Sequence, residues 1–403
     1  MPFPTTAILP LRQSTTRYTL PHQLTPLTNT QARLVGRSVL KPAIDLDAYR
    51  FRAVVDWIEI ECHFASVTQH RHVQTVLRGH LDRNSAITPL QCGDGLTFSK
   101  CKIRIQEPVS LALVATVCDA LADRYGQVTA PVVKQIEISV DAYPRDQKDA
   151  TRALMLGAVQ RTFWTDRDIW SDKRDRPRID PAHRRVRFLS PEPDKKKDER
   201  SACNPEMHYA PPLDSTMYVG AEHAVIFHRI MDKVIDRQHP TGHHYKLTDA
   251  EKRVRIEVCL ADWELEQVGI TDVASLRTFR FTSLQKRFFQ FKLPTFALTK
   301  NPTARQAGMN HLEAMRAQTY LTSGILALGL FDRTMDLRQM KLWKKHARRI
   351  AKLSRPMPKR PGDDRLAAPA ISWAEINRKV NVALQKLDER EASAWRQREG
   401  VKV

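Results

Sequence analysis

No stretch of this sequence approaches the roughly 20 consecutive apolar residues that a membrane-spanning helix needs, so a helical membrane protein is not expected. Met1–Ile8 is short and broken by Pro2 and Pro4. No secretion signal is therefore expected, and the cytoplasm is the expected compartment. Cysteine is sparse and scattered: Cys62, Cys92, Cys101, Cys118, Cys203 and Cys259 contain no CxxC pair. That spacing speaks against a zinc site and predicts reduced thiols, mostly in the core. No GxxxxGK[ST] loop occurs, so a P-loop motor is unsupported. Acid is in deficit, with 45 Asp+Glu against 65 Lys+Arg, a net charge of +20 and a pI near 9.9. Each Lys or Arg that meets a phosphate releases a condensed counterion, so the imbalance favours a polyanion. With no apolar segment for a membrane, nucleic acid is the expected partner.

At 403 residues the chain has room for two modest domains plus tails, and 42% hydrophobic content excludes wholesale disorder. Residues 1–46, rich in Pro, Thr and Gln, read as a mobile arm. A main α+β domain follows over 47–295, with a mainly antiparallel sheet. Val54–Phe64 alternates, with Trp57, Glu59 and Glu61 on one face and Ile58, Ile60 and Cys62 on the other. Cys101–Ile105, Val132–Asp141, Met217–Gly220, Val225–Ile235 and Arg253–Leu260 also read as strands, and Ser110–Tyr125 and Asp149–Phe163 as helices. Residues 166–206 form a charged loop, in which Lys173–Arg187 carries seven basic residues.

Beyond Trp263 the pattern turns helical, over Asp272–Phe291 and then Thr303–Leu328, with Gly329 expected to divide the latter from Asp336–Leu353. Residues 296–355 read as a basic helical DNA-binding region. Arg338, Lys341, Lys345, Arg348 and Lys352 form one stripe, and Arg338–Arg360 holds ten Lys/Arg and no acid. Residues 356–403 read as a Pro-rich linker and an isolated helix, Ser372–Glu391, capped by Ser372 with Glu375 three residues on.

Arg229-Ile230-Met231-Asp232-Lys233, with Met217-Tyr218-Val219-Gly220 before it and Arg253-Val254-Arg255-Ile256-Glu257 after it, places cations and a carboxylate on neighbouring strands. A phosphodiester and its metal ion suit that mixture better than a core does. Glu137, Asp141 and Glu257 are the candidate ligands for a divalent ion, Mg²⁺ or Mn²⁺, with Arg229 and Lys233 beside the phosphate and Arg255 on DNA. Residues four apart in a strand lie roughly 13 Å apart. Glu137 and Asp141 therefore cannot both grip one ion on an unbent strand, and one of them is expected to pair with a cation or cap a helix. Histidine adds little. His70-Arg71-His72 has a charged middle residue, and His243-His244 sits in a turn.

In order, these segments resemble the trans-acting replication initiation factor family of rolling-circle plasmids, filamentous phages and mobile elements. The family's series is matched by Asp56-Trp57, by Glu137 to Asp141, by Tyr218-Val219-Gly220, by Arg229 to Lys233 and by Arg255-Ile256-Glu257, over roughly Val54 to Pro294. The resemblance implies a nuclease-like fold, an origin-specific nickase with a divalent metal, and a tyrosine that becomes linked to the cut 5′ end. It also implies origin duplex and single-stranded DNA as partners, with a host helicase and a second copy of the chain as further candidates. One departure matters: the tyrosine expected between Arg229 and Lys233 is Met231, and a thioether cannot form that link. Tyr218 and Tyr245 are the nearest candidate nucleophiles. The readings rank as a replication initiator that nicks, then a non-catalytic DNA-binding protein on the same scaffold, then an RNA- or ribosome-associated basic protein.

Overall fold

The structure is a computed structural model. It describes the chain apart from residues 1–2, 13, 29–30, 32–33, 82, 93–95, 173, 180–185, 188–209, 237–244, 300–302, 353–369 and 401–403. Much of the charged 166–206 segment, the Pro-rich linker and His243-His244 thus lie outside the described residues.

The first residues are not a free arm. β1 (Thr6–Pro10), β2 (Arg17–Pro26) and β3 (Ser38–Pro42) pair antiparallel and bury Ala7, Leu9, Leu20 and Leu40. The prolines that suggested disorder sit where a missing N–H is tolerated. Pro10, Pro26 and Pro42 end strands, and Pro21 lies where β2 changes partner from β1 to β3.

The chain then runs through β4 (Tyr49–Gln69), α1 (His70–Arg78), β5 (Ala86–Cys92), β6 (Thr97–Gln106), α2 (Leu111–Tyr125), β7 (Thr129–Pro144) and α3 (Asp149–Thr162). Ser110 caps α2 by accepting from the Leu113 amide at 3.1 Å. Next come β8 (Met217–Val219), β9 (Ile226–Lys233), β10 (Arg253–Ala261) and α4 (Trp263–Val268). The stretch expected as a helix over Asp272–Phe291 is instead a series of tight turns leading into β11 (Gln290–Phe296). Its phenylalanines fill the core, with Phe281, Phe288, Phe289 and Phe291 all buried.

α5 spans Ala304–Lys352 and breaks at Gly324 (φ 84°, ψ −176°), not at Gly329. The break is tied down from both sides. Fully buried Arg161 of α3 donates Nε to the Leu321 carbonyl at 2.7 Å, meeting the free C-terminal carbonyls of the first half-helix. Across the break Arg316 reaches Asp332 (2.8 Å), and within its own half-helix it holds Glu313 (2.7 Å). β12 (Ala370–Ser372) precedes α6 (Ala374–Arg398). Ser372 is therefore a strand residue rather than a cap, and Glu375 pairs with Lys41. Nor is the helix isolated. It packs on β4 and α2 and buries Trp373, Ile376, Leu384 and Trp395.

Two large antiparallel sheets and a two-stranded hairpin result among the described residues, giving an α+β fold with a helical C-terminal region. One sheet has the order β1-β2-β3-β11-β12, so segments far apart in sequence share it. The other runs Val186–Arg187, Arg178–Ile179, β8, β9, β10, β7, β4, β6, β5. Its inner face carries Ile58, Ile60, Ile136, Ile138, Val140, Ile230, Ile256 and Val258, all buried. Among the described residues, no helix is long and apolar enough to cross a membrane.

Candidate metal and phosphate site

The opposite face of the large sheet carries charge. Directly across the strands lie Tyr218, Arg229, Glu257 and Ser139, and in the next row Met231, Arg255, Asp141 and Arg52. Glu137 pairs with Cys259 on one side and Trp57 on the other. Strict alternation would send Asp56 to the apolar face with Ile58. A bulge between Val55 and Trp57 changes the parity of β4 there and turns Asp56 toward Glu137.

Asp56, Glu137 and Glu257 thereby form a cluster in which one ligand atom from each lies within 4.8 Å of the others. Glu137 and Glu257 are buried and Asp56 is half-buried. Arg229 bridges the two glutamates: its Nη2 donates to Glu137 at 2.6 Å, and its Nε lies 2.5 Å from Glu257 Oε2. The latter contact has ion-pair distance without hydrogen-bond geometry, so Glu257 Oε2 is a buried acceptor with no donor aimed at it. Arg255 reaches Asp56 at 2.6 Å.

Asp141 is not part of this cluster. Arg255 grips it with two bonds (Nε 2.7 Å, Nη2 2.8 Å), and Arg253 Nε lies 3.1 Å away. The strand rise that separates Asp141 from Glu137 leaves Asp141 as the anchor of Arg255, and Asp56 supplies the third carboxylate. Arg255 itself is 2% exposed, which removes it from any contact with DNA.

The electrostatics follow from this packing. Burial and the neighbouring Glu257 push Glu137 up to about 8, against the pull of Arg229. Burial also raises Glu257, partly offset by Arg229. For Asp56 burial acts upward, but Arg255, Lys233 and a hydrogen bond with Glu137 hold it below the ordinary carboxylate range. The arrangement thus holds one proton easily between Glu137 and Asp56. Hard carboxylate oxygens on three strands suit Mg²⁺ or Mn²⁺, and they fit a divalent ion provided that this proton leaves.

No protein-family model matches the chain, and no curated protein matches it. The site therefore rests on its own geometry.

Of the two tyrosines singled out in the sequence, Tyr218 lies directly opposite Arg229 and stacks on Phe227 (ring centres 5.7 Å apart, 15° between planes). Tyr245 lies on a short hairpin, opposite Asp236, and is 55% exposed. Met231 shares the charged face with Arg229 and half-buried Lys233. In α5, Lys341, Lys345 and Arg348 are exposed and Arg338 is half-buried, while the Lys352 side chain lies outside the described residues. Strand reading missed Asp56 as a ligand and missed Tyr143, whose hydroxyl lies 3.4 Å from Asp141 Oδ2. Tyr143 was visible as the next same-face residue after Asp141. Asp56 stood out in the sequence only through the Asp56-Trp57 resemblance; its place in the cluster depends on the bulge, and bulges leave little trace in composition.

Proposed function

We propose that this chain is a DNA-binding replication initiation protein that nicks one strand at an origin through a metal-dependent tyrosine mechanism, on a nuclease-like sheet. The observation that carries the reading is the Asp56–Glu137–Glu257 cluster, with Arg229 and Lys233 on the same sheet face and Tyr218 opposite Arg229. A Mg²⁺ or Mn²⁺ ion held by the three carboxylates would supply charge stabilisation at the phosphoryl oxygens. Arg229 lowers the cost of a phenolate on Tyr218 and sits beside the phosphate. The phenolic oxygen forms a bond to phosphorus, the bond to the 3′ oxygen breaks, and the strand leaves with a free 3′-hydroxyl. The 5′ phosphate stays on the tyrosine. The basic half of α5 supplies duplex affinity without sequence preference.

Met231 favours a second reading, a non-catalytic DNA-binding regulator or degenerate initiator on the same scaffold. The test is incubation with supercoiled DNA of its own replicon and Mn²⁺, followed by denaturing analysis for a protein-linked nick. A covalent adduct lost in Tyr218→Phe supports nicking by Tyr218. DNA binding without any adduct moves the conclusion to the second reading. Absence of DNA binding refutes both.

A further inference from the structure

The charged face does not end at the carboxylate cluster. Six residues along β7 from Glu137, roughly 20 Å by strand rise, stands Tyr143, with Arg50 directly opposite it on β4. The Arg50 guanidinium lies 4.5 Å from the Tyr143 ring centre and that of Arg253 5.6 Å from it. Arg52 follows on the same face, opposite Asp141. β6 pairs with β4 only from Trp57 onward, and the Glu107 amide that follows it donates to the Asp56 carbonyl, so among the described residues Arg52 lies on a stretch of β4 beyond the end of β6. Arg390 of α6 donates to the Ala53 carbonyl on that stretch and brings a fourth cation to the group.

This group is unbalanced. Among the described residues its one ion pair is that of Arg253 with Asp141, and Asp141 is already held by Arg255. Arg50 and Arg52 are exposed, and among the described residues neither has a carboxylate within ion-pairing distance. Burial lowers the Arg390 pKa and the charge of Arg52 lowers it further, against the pull of neighbouring Glu391, which itself accepts from the Leu111 amide. Like charges are costly to gather on a strand edge and gain most when a polyanion spreads across them.

The geometry points to a second phosphate subsite at Arg50, Arg52, Arg253 and Arg390, on which a single nucleic-acid strand lies with its backbone running along the sheet toward the carboxylate cluster. It rests on the nucleic-acid reading proposed above. A single strand fits better than a duplex because aromatic rings interleave with the cations. Tyr143 stands at one end, and at the other are Trp57 under Arg104 (4.1 Å) and the Tyr218–Phe227 stack.

The test is fluorescence anisotropy of a labelled thymidine oligonucleotide of about 15 nucleotides, titrated with the full chain in chelator at several salt concentrations. Two lost phosphate contacts should make the logarithmic salt slope shallower by about 1.4, and weaken binding roughly 25-fold at about 0.1 M salt, in Arg50→Gln/Arg52→Gln. Arg50→Lys/Arg52→Lys should recover most of the affinity, and equal urea midpoints identify both as folded. Unchanged affinity and slope in the Gln pair overturn the subsite even where the wild type nicks DNA. A wild type that binds the oligonucleotide through these arginines but never nicks keeps the subsite and removes the nickase. No binding by the wild type removes the subsite as well.

Discussion

Replacing Gly324 by alanine tests the break in α5 and, through it, the placement of the basic half-helix. At φ 84° and ψ −176° the backbone lies in a region that is essentially glycine-only, so a side chain there costs about 1–3 kcal/mol. A Cβ would also stand 2.8 Å from Arg161 Cα and 2.9 Å from the Gln160 carbonyl oxygen. Both are backbone atoms of α3 and cannot swing aside, which adds about 1–3 kcal/mol of overpacking. Together the two effects amount to about 2–6 kcal/mol, against a total stability of about 5–15 kcal/mol. With a urea dependence of about 3 kcal/mol per molar, the midpoint should fall by roughly 1–2 M. Gly329→Ala is the matched control. Its Cβ meets Trp164 at an ordinary 3.8 Å, and alanine in a helix should gain about 0.5–1 kcal/mol. Opposite shifts are expected in urea unfolding followed by tryptophan fluorescence and circular dichroism. An unchanged midpoint for Gly324→Ala, or a larger loss for Gly329→Ala, would refute the break at Gly324.

Mn²⁺ calorimetry should show at least a roughly tenfold affinity loss in Asp56→Asn and Glu257→Gln, whereas Asp141→Asn should lose about 3 kcal/mol of stability by removing the two-bond partner of Arg255 and leaving it Asp56. Normal Mn²⁺ binding by the first two would reduce the cluster to ion pairing. Met231→Tyr should create or raise covalent nicking, and failure to form an adduct with binding intact would count against a prepared site. Changing Arg338, Lys341, Lys345, Arg348 and Lys352 to Gln should make the duplex salt slope shallower by about 4.5; the same slope would take α5 out of the interface. Burial lowers His228 to about 4 and His22 to about 3. In each case the unfolded chain binds the proton more readily, so their stabilisation is complete above about pH 6.5 and is lost as pH falls, by up to about 1.4 kcal/mol per histidine per pH unit. Imidazole NMR titration midpoints near 6.5 for both histidines in the folded chain would contradict that burial.

Alternation made β4, β7, β9 and β10 legible because each is half-buried, with one apolar and one charged face. Ser110 and Gly126 likewise marked the ends of α2. The N-terminal strands were hidden by prolines whose positions are harmless only once strand pairing is known. The Phe-rich run after Asp272 looked helical because a buried turn-rich segment also spaces its large residues irregularly. At the site, Glu137, Glu257 and Arg229 followed from strand parity, but Asp56 depended on one extra residue in β4. Arg255 looked available to DNA because pattern reading sees charge without seeing the carboxylates that surround it.

The β12–α6 segment has a consequence for the timing of synthesis. β12 completes the first sheet by pairing with β11, Glu391 accepts from the Leu111 amide at the start of α2 at 2.7 Å, and Asp388 accepts from the Phe281 amide at 2.5 Å. A ribosome adds roughly 5–20 residues per second, so β4 would wait roughly 20–70 s for the helix that covers it. Throughout that interval the apolar surface meant for Trp373, Leu384 and Trp395 is open, and the nascent chain should be a strong chaperone client until α6 emerges.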